Sequence, residues 1–115
     1  MFVMLRNFKV ILKDILQSIE RIETYTKNFS FEDFCENQLV QDGVVRNLEI
    51  IGEAVKHLPK DVQKKYPDVE WKKIAGLRDI LIHGYFGIDH EIVWDIITNK
   101  VSGLKEHISR ILKKR

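Results

Sequence analysis

At 115 residues the chain is long enough to bury one core and too short for two, so residues 1–115 are read as a single domain that carries the whole function. A hydrophobic share of 44% and a charged share of 31% exclude a disordered chain, and a net charge of +2 excludes strong, undirected attraction to polyanions. The single Cys35 excludes an internal disulfide and a multi-cysteine zinc site.

The N-terminal segment is apolar enough to resemble a signal peptide, but Arg6, Lys9, Lys13 and Asp14 interrupt every candidate apolar core. No stretch approaches the roughly 20 apolar residues of a membrane span. These features and the lone cysteine point to a cytoplasmic protein.

Phe8, Ile11, Leu12, Ile15, Ile19 and Ile22 recur at spacings of three and four and predict a first long helix over about residues 3–26. Asn28 and Ser30 offer N-cap oxygens, with Asp33 three residues past Ser30, for a short helix around Phe31 to Glu36. The stripe resumes from Leu39 through Val44, Val45, Leu48, Ile51 and Val55 and stops at Leu58-Pro59, because proline disfavours a helical predecessor. Gly43 and Gly52 lie inside this second helix, and at least one is expected to permit close packing. Lys60 to Lys65 suit a short turn. Trp71, Ile74, Ala75, Leu77, Leu81 and Ile82 predict a third helix stopping at Gly84. Asp89 can cap a last helix whose seam runs from Ile92 to Leu112. No alternating strand appears, so the fold expected is all-α, a bundle of four to five helices with mostly antiparallel neighbours.

Most titratable residues have structural explanations. His57 and His107 fit helix ends or exposed faces. The spacing of His83, Asp89, His90 and Glu91 matches no metal motif, so no metal or other cofactor is expected. The C-terminal cluster of Lys105, Arg110, Lys113, Lys114 and Arg115 fits a local polyanion contact and a solvated helix end equally well.

Arg78 to Tyr85 stands apart: an arginine, a histidine and a tyrosine cluster at the end of an otherwise apolar helix. Arginine presents a planar fork of donors that matches phosphate oxygens. Histidine can take or give a proton near neutral pH. Together, Arg78 and His83 would suffice for metal-independent cleavage of RNA, whose own 2′-hydroxyl is the nucleophile. A structural reading stands beside this one: Arg78 pairing with Glu49, Glu53 or Glu70, His83 favoured by a helix C-terminus, and Tyr85 a core aromatic.

The spacing of Arg78, His83 and Tyr85 resembles the signature of HEPN ribonucleases. The likeness widens through Val45-Arg46-Asn47-Leu48-Glu49-Ile50-Ile51-Gly52-Glu53-Ala54, through Trp71 to Asp79, and through Tyr85-Phe86-Gly87-Ile88-Asp89 with Val93-Trp94. The resemblance implies a homodimeric HEPN bundle of the HepT-like toxin type, an endoribonuclease paired with an MNT-type nucleotidyltransferase antitoxin. It carries Arg78 and His83 over as the catalytic pair and Tyr85 as the acceptor of AMP groups. Asp79, Arg46, Asn47 and Glu49 match at supporting positions. The alternative is a non-catalytic helical subunit that binds and regulates a nucleotidyltransferase.

Five positions at about 100° each would put Arg78 and His83 roughly 140° apart on a regular helix. Either the helix distorts near Gly84, or two copies share one cleft across a two-fold axis.

Overall fold

The computed structural model describes residues 2–81 and 89–113, apart from the side chains of residues 2–7 and Ile80. Each predicted helical segment has a counterpart there, the third only as far as Leu81. Helix α1 spans Phe2–Tyr25 and buries Leu12, Ile15, Ile19 and Ile22 completely. It ends where Asn28 takes a left-handed conformation, φ 64°, which asparagine tolerates better than most residues. Helix α2 (Phe31–Cys35) opens with Ser30 as its N-cap, one of the two residues expected there, and Asp33 completes a capping box: Ser30 Oγ accepts from Asp33 N, and Asp33 Oδ2 accepts from Ser30 N.

Helix α3 (Gln38–Lys56) is capped by Asn37, whose Oδ1 accepts from Val40 N at 3.0 Å. It forms the centre of the bundle, with Val44, Leu48, Ile51 and Val55 buried and its longest contact made with α1. Tyr25, near the end of α1, lies over Gly43, near the start of α3, so the two helices are antiparallel; a Cβ on Gly43 would stand 3.0 Å from the ring. At Gly52 a Cβ would stand 3.0 Å from the backbone oxygen of Ile74. Both glycines therefore mark close approaches, one to a side chain and one to backbone.

Helix α4 (Lys60–Lys65) fills the predicted turn. The predicted third helix is instead two pieces, α5 (Trp71–Ala75) and α6 (Leu77–Leu81), separated by Gly76, whose N–H is shared between the carbonyls of Lys72 and Lys73. Its expected end at Gly84 lies outside the described residues. The last helix is also interrupted, into α7 (His90–Asn99) and α8 (Val101–Lys113). Before the break, Thr98 Oγ1 bonds back to Trp94 O at 2.9 Å, and Asn99 bonds Asp95 with its side chain. Such back-bonding bends helices. The interruption lets α7 pack on α2 while α8 packs on α1. Phe34, fully buried, joins α2 to α7 through Trp94 at 5.5 Å and His90 at 6.0 Å between ring centroids.

None of the helices searched among the described residues is long and apolar enough to cross a membrane.

Candidate functional site

The outward face of α3 is polar because its apolar residues are taken up by the core. Arg46, Glu49, Glu53 and His57 recur every three or four positions, with Ile50 beside them and, like Glu49, half-buried. This face is the floor of an open valley. Asp14 of α1 lies on one wall, and Ala75 and Arg78 of α5 and α6 form the other. The tight packing of Gly52 on the Ile74 carbonyl holds α5, and with it α6, against α3.

Arg78 is largely exposed on the valley wall, its side chain 73% accessible. Its Nε stands 4.0 Å from Oε2 of Glu49, a carboxylate only 28% accessible. At that separation the pair is a charge contact and not a hydrogen bond, so the guanidinium donors stay available to an oxyanion. The other two acids considered as partners are engaged elsewhere: Glu70 with Lys73 at 3.0 Å and Glu53 with Lys56 at 3.5 Å. The Lys73 ammonium holds the Glu70 carboxyl below the ordinary glutamate range, through a hydrogen bond and its charge.

Sequence-predicted residues divide between this valley and other surroundings. Arg46, Glu49 and Arg78 line it together. Asp79 is exposed on α6, its N–H bonded to the Gly76 carbonyl at 3.1 Å. Asn47 is buried instead, 4% accessible, where Nδ2 donates to Gly43 O at 2.8 Å and Oδ1 has no partner. His83 and Tyr85 lie outside the described residues, and so does the question of how Arg78 and His83 are disposed about a helix. Of the described residues flanking that segment, Asp89 N donates to Leu81 O at 3.3 Å, and Asp89 Oδ1 caps α7 by accepting from Ile92 N at 3.1 Å.

Asp14, Lys56 and His57 also line the valley and were missed as candidates. For Lys56 and His57 the signal available was the polar stripe of the second helix, at the same spacing as its apolar stripe; Asp14, on the first helix, had none. In the valley, Arg46, Lys56 and Arg78 oppose Asp14, Glu49 and Glu53, so formal charge balances with His57 neutral. The C-terminal cluster is partly consumed: Lys105 donates to Glu23 at 2.8 Å, and Arg110 pairs with Glu106. Among the described residues, no group of three or more His, Cys, Asp or Glu residues could hold a metal ion.

The family model described as "Ribonuclease HepT-like" matches residues 15–111. A protein of Methanocaldococcus jannaschii provisionally named an RNase is 46% identical over 108 residues, covering 94% of this chain and 89% of its own length. One of Caldanaerobacter subterraneus subsp. tengcongensis, also provisionally named an RNase, is 46% identical over 103 residues, covering 90% and 92%. A Thermococcus cleftensis protein provisionally named ribonuclease HepT is 40% identical over 110 residues, covering 96% and 100%. No solved structure matches the chain.

Proposed function

The chain belongs to the HepT-like ribonuclease family, and on that premise we propose that it is a metal-independent endoribonuclease, the toxin of a toxin–antitoxin pair, working as a homodimer. The observation that carries this reading is Arg78: an exposed guanidinium on a valley wall, steadied by Glu49 from one side. Arg78 binds the scissile phosphate and stabilises the charge that develops on it. His83 manages the proton. The RNA 2′-oxygen attacks the adjacent phosphorus and the bond to the 5′-oxygen breaks, leaving a 2′,3′-cyclic phosphate and a 5′-hydroxyl. One proton leaves the 2′-hydroxyl and one reaches the departing 5′-oxygen. DNA lacks the nucleophile and resists.

The brake is an MNT-type nucleotidyltransferase. The Tyr85 phenol oxygen attacks the α-phosphorus of ATP, the bond to the β-phosphate oxygen breaks, pyrophosphate leaves and the phenolic proton passes to solvent. The AMP group adds bulk and negative charge in the same motif as Arg78 and opposes an RNA backbone. Asp79, Arg46 and Asn47 serve orienting or packing roles. We place the protein in the cytoplasm, where its RNA substrate and partner enzyme would be met.

The test is RNA cleavage by purified protein in chelator, comparing wild type with Arg78→Ala and His83→Ala. Loss in both variants is expected; equal cleavage by all three overturns the assignment. A stable complex with the nucleotidyltransferase and no cleavage by wild type would favour the regulatory-subunit alternative.

A further inference from the structure

A track for an RNA backbone should carry a clear excess of cations, and the valley does not, since three cations face three anions there. The excess lies in a second groove, between α4 and α5. Among the described residues its lining holds four lysines, Lys60, Lys64, Lys72 and Lys73, and one acid, Glu70. All four lysines are exposed. Glu70 is taken by Lys73 at 3.0 Å, whereas Lys60, Lys64 and Lys72 have no ion pair among the described residues.

The lysines converge because two side chains fix the elements that carry them. Gln63, half-buried on α4, donates through Nε2 to Leu58 O at 3.1 Å and Val55 O at 3.4 Å, which ties α4 to the last turn of α3. Trp71 is buried and its Nε1 donates to Tyr66 O at 2.9 Å, folding residues 66–71 so that α5 returns beside α4. Lys60 and Lys64, four positions apart, share one face of α4. The neighbouring acids point elsewhere: Asp61 is outside the lining, and Asp68 lines the cavity on the side of α7 and α8. Like charges at a spacing of four weaken a helix, a cost that a polyanion lying along the groove would offset.

The groove leads to Arg78. Lys72, Ala75 and Arg78 follow one another at intervals of three along α5 and α6, Lys72 lining the groove and the other two the valley. We infer that the groove between α4 and α5 binds the sugar–phosphate backbone of RNA flanking the scissile bond, with Lys60, Lys64 and Lys72 each facing a phosphate. This rests on the ribonuclease reading above and extends it to the substrate beyond Arg78. Lysine is a compact point charge without the planar fork of arginine, and the one aromatic ring among the described lining residues, Trp71, is buried and closed to stacking. The groove therefore holds backbone of any sequence.

The experiment is binding of a fluorescent single-stranded RNA with 2′-O-methyl sugars, which lacks the attacking hydroxyl and stays intact, read by anisotropy over a salt series. The variant K60Q/K64Q/K72Q is compared with wild type and with K9Q/K13Q/K27Q, which removes the same charge at and beyond α1; circular dichroism checks folding. The groove variant is expected to raise Kd about tenfold or more and to flatten the slope of log K against log salt by about 2, as for three phosphate contacts on a single strand. The α1 variant is expected to stay near wild type. In cleavage of ordinary RNA the groove variant should raise KM at unchanged kcat, because its contacts lie outside the reacting bond. Equal losses in both variants overturn the groove and leave only net charge. A folded groove variant that binds RNA as wild type does also overturns it, and if that variant has lost binding to poly-L-glutamate the groove belongs to an acidic protein surface. Neither outcome touches the ribonuclease reading while wild type cleaves RNA; a wild type that neither binds nor cleaves RNA overturns both.

Discussion

Arg78 on α6 and Glu49 on α3 are joined by a charge contact of 4.0 Å that links the motif helix to the central helix of the bundle. Its strength is limited by the exposure of the arginine, and its value is directional: Glu49 approaches Nε and leaves the terminal nitrogens unclaimed by that contact. Glu49→Gln keeps the shape and removes the charge. Since an exposed pair contributes at most about 1 kcal/mol, kcat for RNA cleavage should fall by up to about fivefold with KM little changed. A lower KM at unchanged kcat would mean that Glu49 only repels the substrate.

The two close-approach glycines should respond oppositely to a methyl group. At Gly43 the neighbour is the ring of Tyr25, 39% accessible and free to swing outward, so Gly43→Ala should be neutral or gain up to about 1 kcal/mol in helix propensity. At Gly52 the neighbour is the Ile74 carbonyl, which cannot move without displacing α5, so Gly52→Ala should cost about 1–3 kcal/mol. Urea denaturation of the two variants checks the contrast, and equal effects would show that α5 yields freely.

Asn47 is buried with its Oδ1 unpartnered. Replacing a buried, half-satisfied amide by leucine of similar size should leave stability within about 1 kcal/mol of wild type, because the lost Gly43 bond is offset by the relieved oxygen. A melting curve tests this. A larger loss for Asn47→Leu would reveal a structural role for the unpartnered oxygen.

Glu23 raises the ionisation range of the Lys105 ammonium above its ordinary value of 10.5, first by a hydrogen bond and then by its charge. The cation is the favoured form in the folded chain, so this stabilisation is present at neutral pH and is lost as pH rises through the raised folded value. Lys105→Met should therefore melt below wild type at neutral pH, with the gap closing in strongly alkaline buffer. A gap independent of pH would assign the effect to packing.

The long helices were legible because their apolar residues repeat with helical period and their caps are local: Ser30 with Asp33, and Asp89 with Ile92, need only nearby atoms. The breaks at Gly76 and Lys100 were not. The seam of the last helix continues in step across Lys100, so periodicity alone reads one helix, and only the Thr98 and Asn99 side-chain bonds mark the bend. At the site, Arg78 was found through its motif and its partner only as one of three acids. Which acid faces it is decided by how Gly52 seats α3 on α5, a tertiary fact with no local signature. Asn47 shared a segment with Arg46 and Glu49 but points to the core, a difference of one residue in helical phase.

In the homodimer proposed above, Arg78 of one protomer and His83 of the partner subunit would complete one site together if two copies share a cleft across a two-fold axis. Subunit mixing tests it most directly. Arg78→Ala and His83→Ala proteins, each inactive alone, are unfolded together, refolded as mixed dimers and assayed for RNA cleavage in chelator. The mixture is expected to regain cleavage, because each mixed dimer keeps one Arg78 and one His83 intact in the same shared site. Mixed dimers that form and remain as inactive as either parent would contradict it.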